Sequence, residues 1–129
     1  MNYLKYTIII LLFTNLCLSQ NFQTKTELER KIIGTWNLEG DLISKFVFND
    51  NAKVKRFDGN KLTRTSHYAI VKTCGEEKLS GNEFFLKETD QNGTEACFYI
   101  ESIDYDNDGI FSMMTKFQGK VVVLKKQID

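Results

Sequence analysis

From Thr35 to Lys125, apolar side chains recur at every second position in short runs separated by clusters rich in Gly, Asn and Asp. This alternation turns one face of a strand toward a core and the other toward solvent. Residues 35–39 align Trp36 with Leu38, and residues 44–48 align Phe46 with Phe48. Residues 53–57 follow, ended by Asp58-Gly59-Asn60, a hairpin signal because Gly tolerates the positive φ of a tight turn. Residues 62–71, 83–87, 96–101, 110–117 and 121–125 complete eight predicted strands. Residues 72–82 read as the longest loop, with Gly75 and Ser80-Gly81-Asn82 as breakers. A short helix is expected ahead of the strands at 26–31, capped by Thr26, with Glu29 completing a capping box. No crossover helix separates any two strands, so sequence neighbours should pair antiparallel. Eight strands in a meander leave two open edges unless the sheet closes. The expected fold is therefore all-β: an eight-stranded antiparallel up-and-down barrel behind a short N-terminal helix. Such a barrel has an interior that side chains fill or that holds one small ligand.

The first twenty residues differ from the rest. Lys5 precedes the apolar run Thr7-Ile8-Ile9-Ile10-Leu11-Leu12-Phe13, and Leu16-Cys17-Leu18-Ser19 brings small residues before Gln20. That is the order of a secretory signal, and the run falls short of the ~20 residues that span a bilayer. We expect residues 1–19 to be removed, leaving one domain at 20–129 with no transmembrane segment, secreted or periplasmic. Acylation of Cys17 is the alternative, which would anchor the chain to a lipid surface; Leu16, where a small residue is usual, weighs against it. Cys74 and Cys97 form an even pair in an exported chain and read first as a disulfide, against two unrelated thiols. Were the strand before the loop unbroken through Cys74, the two cysteines would sit two strand spacings apart, about 9.6 Å. A bridge therefore requires that strand to end near Lys72 and the loop to fold back over the sheet. Such a bridge would pin the loop, across a ligand entrance in the functional reading. The 17 Lys and Arg balance 17 Asp and Glu, with no basic stripe to suit nucleic acid.

At Ile33-Gly34-Thr35-Trp36-Asn37-Leu38, a short helix leads into Gly-x-Trp at the first strand. This resembles the opening of lipocalins and related calycin barrels, and especially the small secreted lipocalin-like domains of bacteria. The resemblance in pattern covers residues 26–127, and its motif is the few residues around Trp36. It implies that Gly34 lets the chain pass close under the barrel and that Trp36 plugs the closed end. Lipocalins commonly lay an Arg of the last strand over that Trp. None stands here, so Lys125 or Lys126 would take the place through a cation–π contact. Avidin-like proteins and secreted metalloprotease inhibitors open similarly. The inhibitor likeness implies that residues 20–25 would insert into a protease.

Candidate chemistry is sparse. Asp104, Asp106 and Asp108, with Gly109, match the first half of a calcium loop, but the twelfth position holds Thr115 in place of Glu, and an Asp-Gly hairpin is the simpler reading. His67 is the one His, so no zinc set assembles from it and the paired cysteines. No nucleophile elbow or phosphate loop is present, no cofactor is implied, and no enzyme is expected. Alternation that turns Leu62, Tyr68 and Ile70 inward carries Arg64 and Ser66 with them. Either the interior is partly polar and accepts an acidic ligand, or a bulge turns Arg64 outward; the bulge is favoured. The leading expectation is a monomeric carrier of a small apolar ligand, its pocket lined by Phe46, Phe48, Tyr68, Phe84, Leu86, Phe98, Ile100, Phe111 and Met113, with Arg64 nearby. A protein-binding module, such as a protease inhibitor, is the alternative. An internal cavity of about 300 Å³ or more would favour the carrier, and a filled interior with an ordered, projecting N-terminal segment the inhibitor.

Overall fold

The computed structural model describes residues 22–128. The expected secretory signal, the new N-terminus at Gln20 and acylation at Cys17 lie outside them. Helix α1 (Lys25–Lys31) is followed by β1 (Gly34–Leu38), β2 (Ser44–Phe48), β3 (Lys53–Asp58) and β4 (Lys61–Val71). A two-stranded excursion, β5 (Thr73–Cys74) and β6 (Glu77–Lys78), precedes β7 (Phe85–Thr89), β8 (Glu95–Ile103), β9 (Ile110–Thr115) and β10 (Val121–Lys126). The eight long strands close in the order β1-β10-β9-β8-β7-β4-β3-β2, an antiparallel up-and-down barrel as the alternation requires. No helix among the described residues is long and apolar enough to cross a membrane.

The two ends of the barrel differ. At one end α1 lays Leu28 and Ile32, one turn apart, into the core beside Trp36, Phe48, Phe111 and Leu124. Trp36 stands edge-on to Phe111, with ring centroids 5.6 Å apart, and its indole Nε1 donates to the carbonyl of Ile32 at 2.9 Å. Each such buried aromatic contributes about 2–3 kcal/mol through apolar area. Lys126, directly opposite Trp36 in the β1–β10 pairing, holds its Nζ 5.8 Å from the ring. Lys125 points to the other face and pairs with Glu39 at 3.6 Å, so of the two candidate lysines only Lys126 meets Trp36. Gly34 has φ +139°, a backbone region that side chains avoid. A Cβ there would meet only Lys126 Cε at 3.6 Å, so conformation rather than crowding calls for glycine.

The helix starts one residue earlier than expected. Thr24, not Thr26, is the cap, its Oγ1 accepting from Glu27 N at 3.2 Å. Thr24-Lys25-Thr26-Glu27 and Thr26-Glu27-Leu28-Glu29 carry the same capping signature two residues apart. Tertiary contacts select the first, because Gln23 is already fixed. Its carboxamide donates to Ile103 O at 2.7 Å and accepts from Ile103 N at 2.9 Å, tying the chain to β8 just before the helix.

The disulfide joins Cys74 to Cys97 with Cα atoms 6.5 Å apart. β4 does end at Val71, as the bridge demands. The following loop is not plain loop: it contains the β5–β6 hairpin, which lies against the outside of β7–β9. Tyr99 donates to the Glu77 carboxylate at 2.7 Å, and Lys116 reaches the Cys74 carbonyl at 3.1 Å. Beneath them Phe85, on the outward face of β7, is fully buried against Tyr99. The loop leaves β4 at the helix-covered end and covers the wall, so the bridge does not pin it across the barrel mouth.

Candidate functional site

The open end is where the interior is unfilled. Directly paired residues share a face of a sheet, so the register fixes which side chains meet inside. Phe46 opposes Arg56, Arg56 opposes Arg64, Tyr68 opposes Glu88, and Val122 opposes Met113. Beyond the packed layer lies an open cavity of about 450 Å³, lined by Leu38, Phe46, Arg56, Phe98, Met113 and Val122, with Glu39, Lys120, Val121 and Val123 at the lip; Glu88 stands behind Arg56 rather than in the lining. Ligand clefts are typically of this size, apolar and with few polar groups.

The polar group here is an ion pair. Arg56 donates from an Nη to Glu88 Oε2 at 2.6 Å, with side chains 30% and 5% exposed. The guanidinium carbon lies 5.0 Å from the Phe46 ring centroid, a cation–π arrangement. Arg56 Nε is buried with no acceptor, and a buried unmade hydrogen bond costs about 1–3 kcal/mol. The strand pattern contained both partners: alternation from Val54 turns Arg56 inward, and alternation from Leu86 turns Glu88 inward. Sequence reasoning missed them because it followed Arg64 alone.

Arg64 corrects the earlier expectation. β4 does carry a bulge, placed where Arg56 faces Arg64 and Phe57 faces Leu62. The extra residue is Thr63, so it is Leu62 that leaves the inward set, and it is 48% exposed. Arg64 keeps the face of the buried Ser66 and sits at the rim, bound to Asp90 Oδ2 at 3.1 Å. Asp90 also accepts from the N–H groups of Thr94 and Asn92, each at 2.9 Å. The Thr94 bond is the main reason that its carboxyl is held below the usual value.

The expected pocket residues divide three ways. Phe46, Phe98 and Met113 line the mouth. Phe48, Leu86 and Phe111 are wholly buried in the core, while Tyr68 is half-buried beside Phe48 and donates to Asn49 O at 2.7 Å. Burial raises the Tyr68 phenol above its ordinary range. Phe84 and Ile100 face a different hollow of about 480 Å³ near the helix end, shared with Phe22 and Leu79. Strand alternation sorts inside from outside but says nothing of height along the barrel, which is why one set was drawn from three places.

The acidic loop 104–109 does not gather its carboxylates. Asp104 Oδ1 accepts from Gly109 N and its Oδ2 lies 3.7 Å from Lys126 Nζ, while Asp108 Oδ1 accepts from Ile110 N. Among the described residues no cluster of three metal-binding side chains occurs. Asp104, Asp106 and Asn107 have positive φ, a conformation in which Asp and Asn are enriched, and they build a tight turn around Tyr105–Asn107. Of the segment expected to enter a protease, the described part is Phe22 to Lys25. Phe22 is 64% exposed, Gln23 is clamped to Ile103, and Thr24 caps the helix. No family model, no curated protein and no solved structure matches this chain.

Proposed function

We propose that this is an exported binding protein of lipocalin-like, calycin type, monomeric and without enzymatic turnover, that holds a small, mainly apolar ligand in the mouth of its barrel. The observation that carries the reading is the apolar cavity of about 450 Å³ above a packed core. Its lining comes from β1, β2, β3, β8, β9 and β10, elements fixed by barrel closure, and rigid elements hold a site more firmly than loops do. Export is supported by the signal-like start of the sequence and by the Cys74–Cys97 bridge, since disulfides persist in oxidising compartments. The 6.5 Å Cα separation is within the range of an ordinary disulfide, so the wall is stapled without distorting the mouth.

An aminonaphthalene dye whose emission rises in apolar surroundings tests the reading. Saturable one-to-one binding by the wild type is expected. Val122→Trp, which fills the cavity, should weaken it by about tenfold or more, the equivalent of 1.4 kcal/mol. Circular dichroism should show the barrel intact in the variant. Absence of saturable binding in the wild type, or undiminished binding by a folded Val122→Trp, would remove the mouth as a ligand site.

A further inference from the structure

We propose that the ligand of the mouth is an uncharged amphiphile whose polar end both accepts and donates a hydrogen bond, such as an alcohol or a primary amide, rather than an organic anion or cation. This deepens the ligand-binding reading and rests on it. Lys120 at the exposed lip makes no ion pair among the described residues, but below it the charges inside the mouth are paired. Arg56 is matched by Glu88 at 2.6 Å, and one level outward Arg64 is matched by Asp90 at 3.1 Å. An anionic head seated beside Arg56 would also sit close to the nearly buried Glu88, leaving one of the two negative charges without a partner. A cationic head meets the mirror-image problem against Arg56.

The hydrogen-bond inventory points the same way. A guanidinium carries five N–H donors and a carboxylate about four acceptor sites. Between the side chains of Arg56 and Glu88 the structure gives one bond, and Arg56 Nε is buried without an acceptor. The pair is thus matched in charge but short of partners on both sides: donors on Arg56, lone pairs on Glu88. A hydroxyl or carboxamide supplies an acceptor to the first and a donor to the second without changing the charge of the site. The apolar wall of Leu38, Phe46, Phe98, Met113 and Val122 then takes the tail.

Displacement of the bound dye by decanol, decanamide, decanoate and decylamine tests this, because the four share a tail and differ in head group. Near neutral pH the wild type should bind decanol and decanamide about tenfold or more tightly than decanoate or decylammonium. Glu88→Gln leaves Arg56 uncompensated and should turn the preference to decanoate. Arg56→Gln leaves Glu88 uncompensated and should turn it to decylammonium. A wild type that prefers decanoate or decylammonium overturns the neutral-ligand proposal and leaves the binding site standing. Failure of all four to displace the dye, with dye binding abolished by Val122→Trp, overturns the amphiphile class alone. Failure of the dye itself to bind overturns the mouth as a site. Should either charge variant not fold, the wild-type ranking of the four compounds still decides.

Discussion

The carboxamide of Gln23 does for one residue what a neighbouring strand does for many: it offers a donor and an acceptor side by side to the backbone of Ile103, at 2.7 and 2.9 Å. Both bonds are buried, so removing the side chain leaves an N–H and a C=O of β8 unsatisfied away from water. Gln23→Ala is expected to lower stability by about 1–3 kcal/mol, read as an earlier urea midpoint at an unchanged slope. Gln23→Glu should not rescue it, because a carboxylate accepts from Ile103 N but has no proton for the carbonyl. A wild-type midpoint in Gln23→Ala would show that the clamp carries no weight. Nothing in the sequence marks this Gln, since its partner lies eighty positions away. Arg56 is the opposite case. Its inward placement was legible from Val54 two positions earlier, yet the sequence does not show that Glu88, on a strand beyond the neighbouring one, would meet it.

Two elements carry their own tests. The turn between β7 and β8 is organised by Asp90, whose ionised carboxyl accepts from Thr94 N, Asn92 N and Arg64. With the folded value held below 3.8, its contribution is fully present above pH 3.8 and is lost as pH falls through the depressed value. Asp90→Ala should therefore be less stable than the wild type at neutral pH, and the two melting curves should converge in stronger acid. A gap that stays constant through that range would mean that the carboxylate is not what orders the turn. The β5–β6 hairpin is the second element, held by a disulfide that spans 23 positions. Replacing both Cys74 and Cys97 by Ser should cost about 3 kcal/mol in the chain-entropy model. It should expose the hairpin to protease before the barrel, because Phe85 loses its cover while the ladders of β4, β7 and β8 remain. Simultaneous cleavage of hairpin and barrel would argue that they unfold as one unit. The bridge was legible from cysteine count and compartment; the hairpin was not, because two-residue strands carry no period. One signal was available: Phe84-Phe85-Leu86 places apolar residues on both faces of β7, which implies a covered outer wall.

At the scale of the molecule, eight alternating runs and short turns suffice for the barrel, because closure follows from strand number and connection length rather than from any one residue. The distribution of filling along the axis does not follow from them; it depends on α1 capping one end while no described element caps the other. Closure also has a consequence in time. The seam joins the first strand to the last, with Trp36 facing Lys126 and Leu38 facing Leu124. Every other ladder of the barrel joins strands that are consecutive in the chain or separated only by the hairpin excursion. The entropy of bringing two chain ends together must be met before contacts between them return anything, so the seam is the slowest pairing to form. Until it does, β1 and β10 each present an unpaired edge, and the nascent sheet is open to pairing with another copy of itself. The Cys74–Cys97 link lies in the opposite wall and, by short-circuiting 23 positions of the intervening chain, eases that search only slightly, since closure entropy varies with the logarithm of loop length. A barrel that has no edges once folded thus carries its aggregation hazard entirely in the interval before it closes, and a slower seam lengthens that interval without altering the folded molecule.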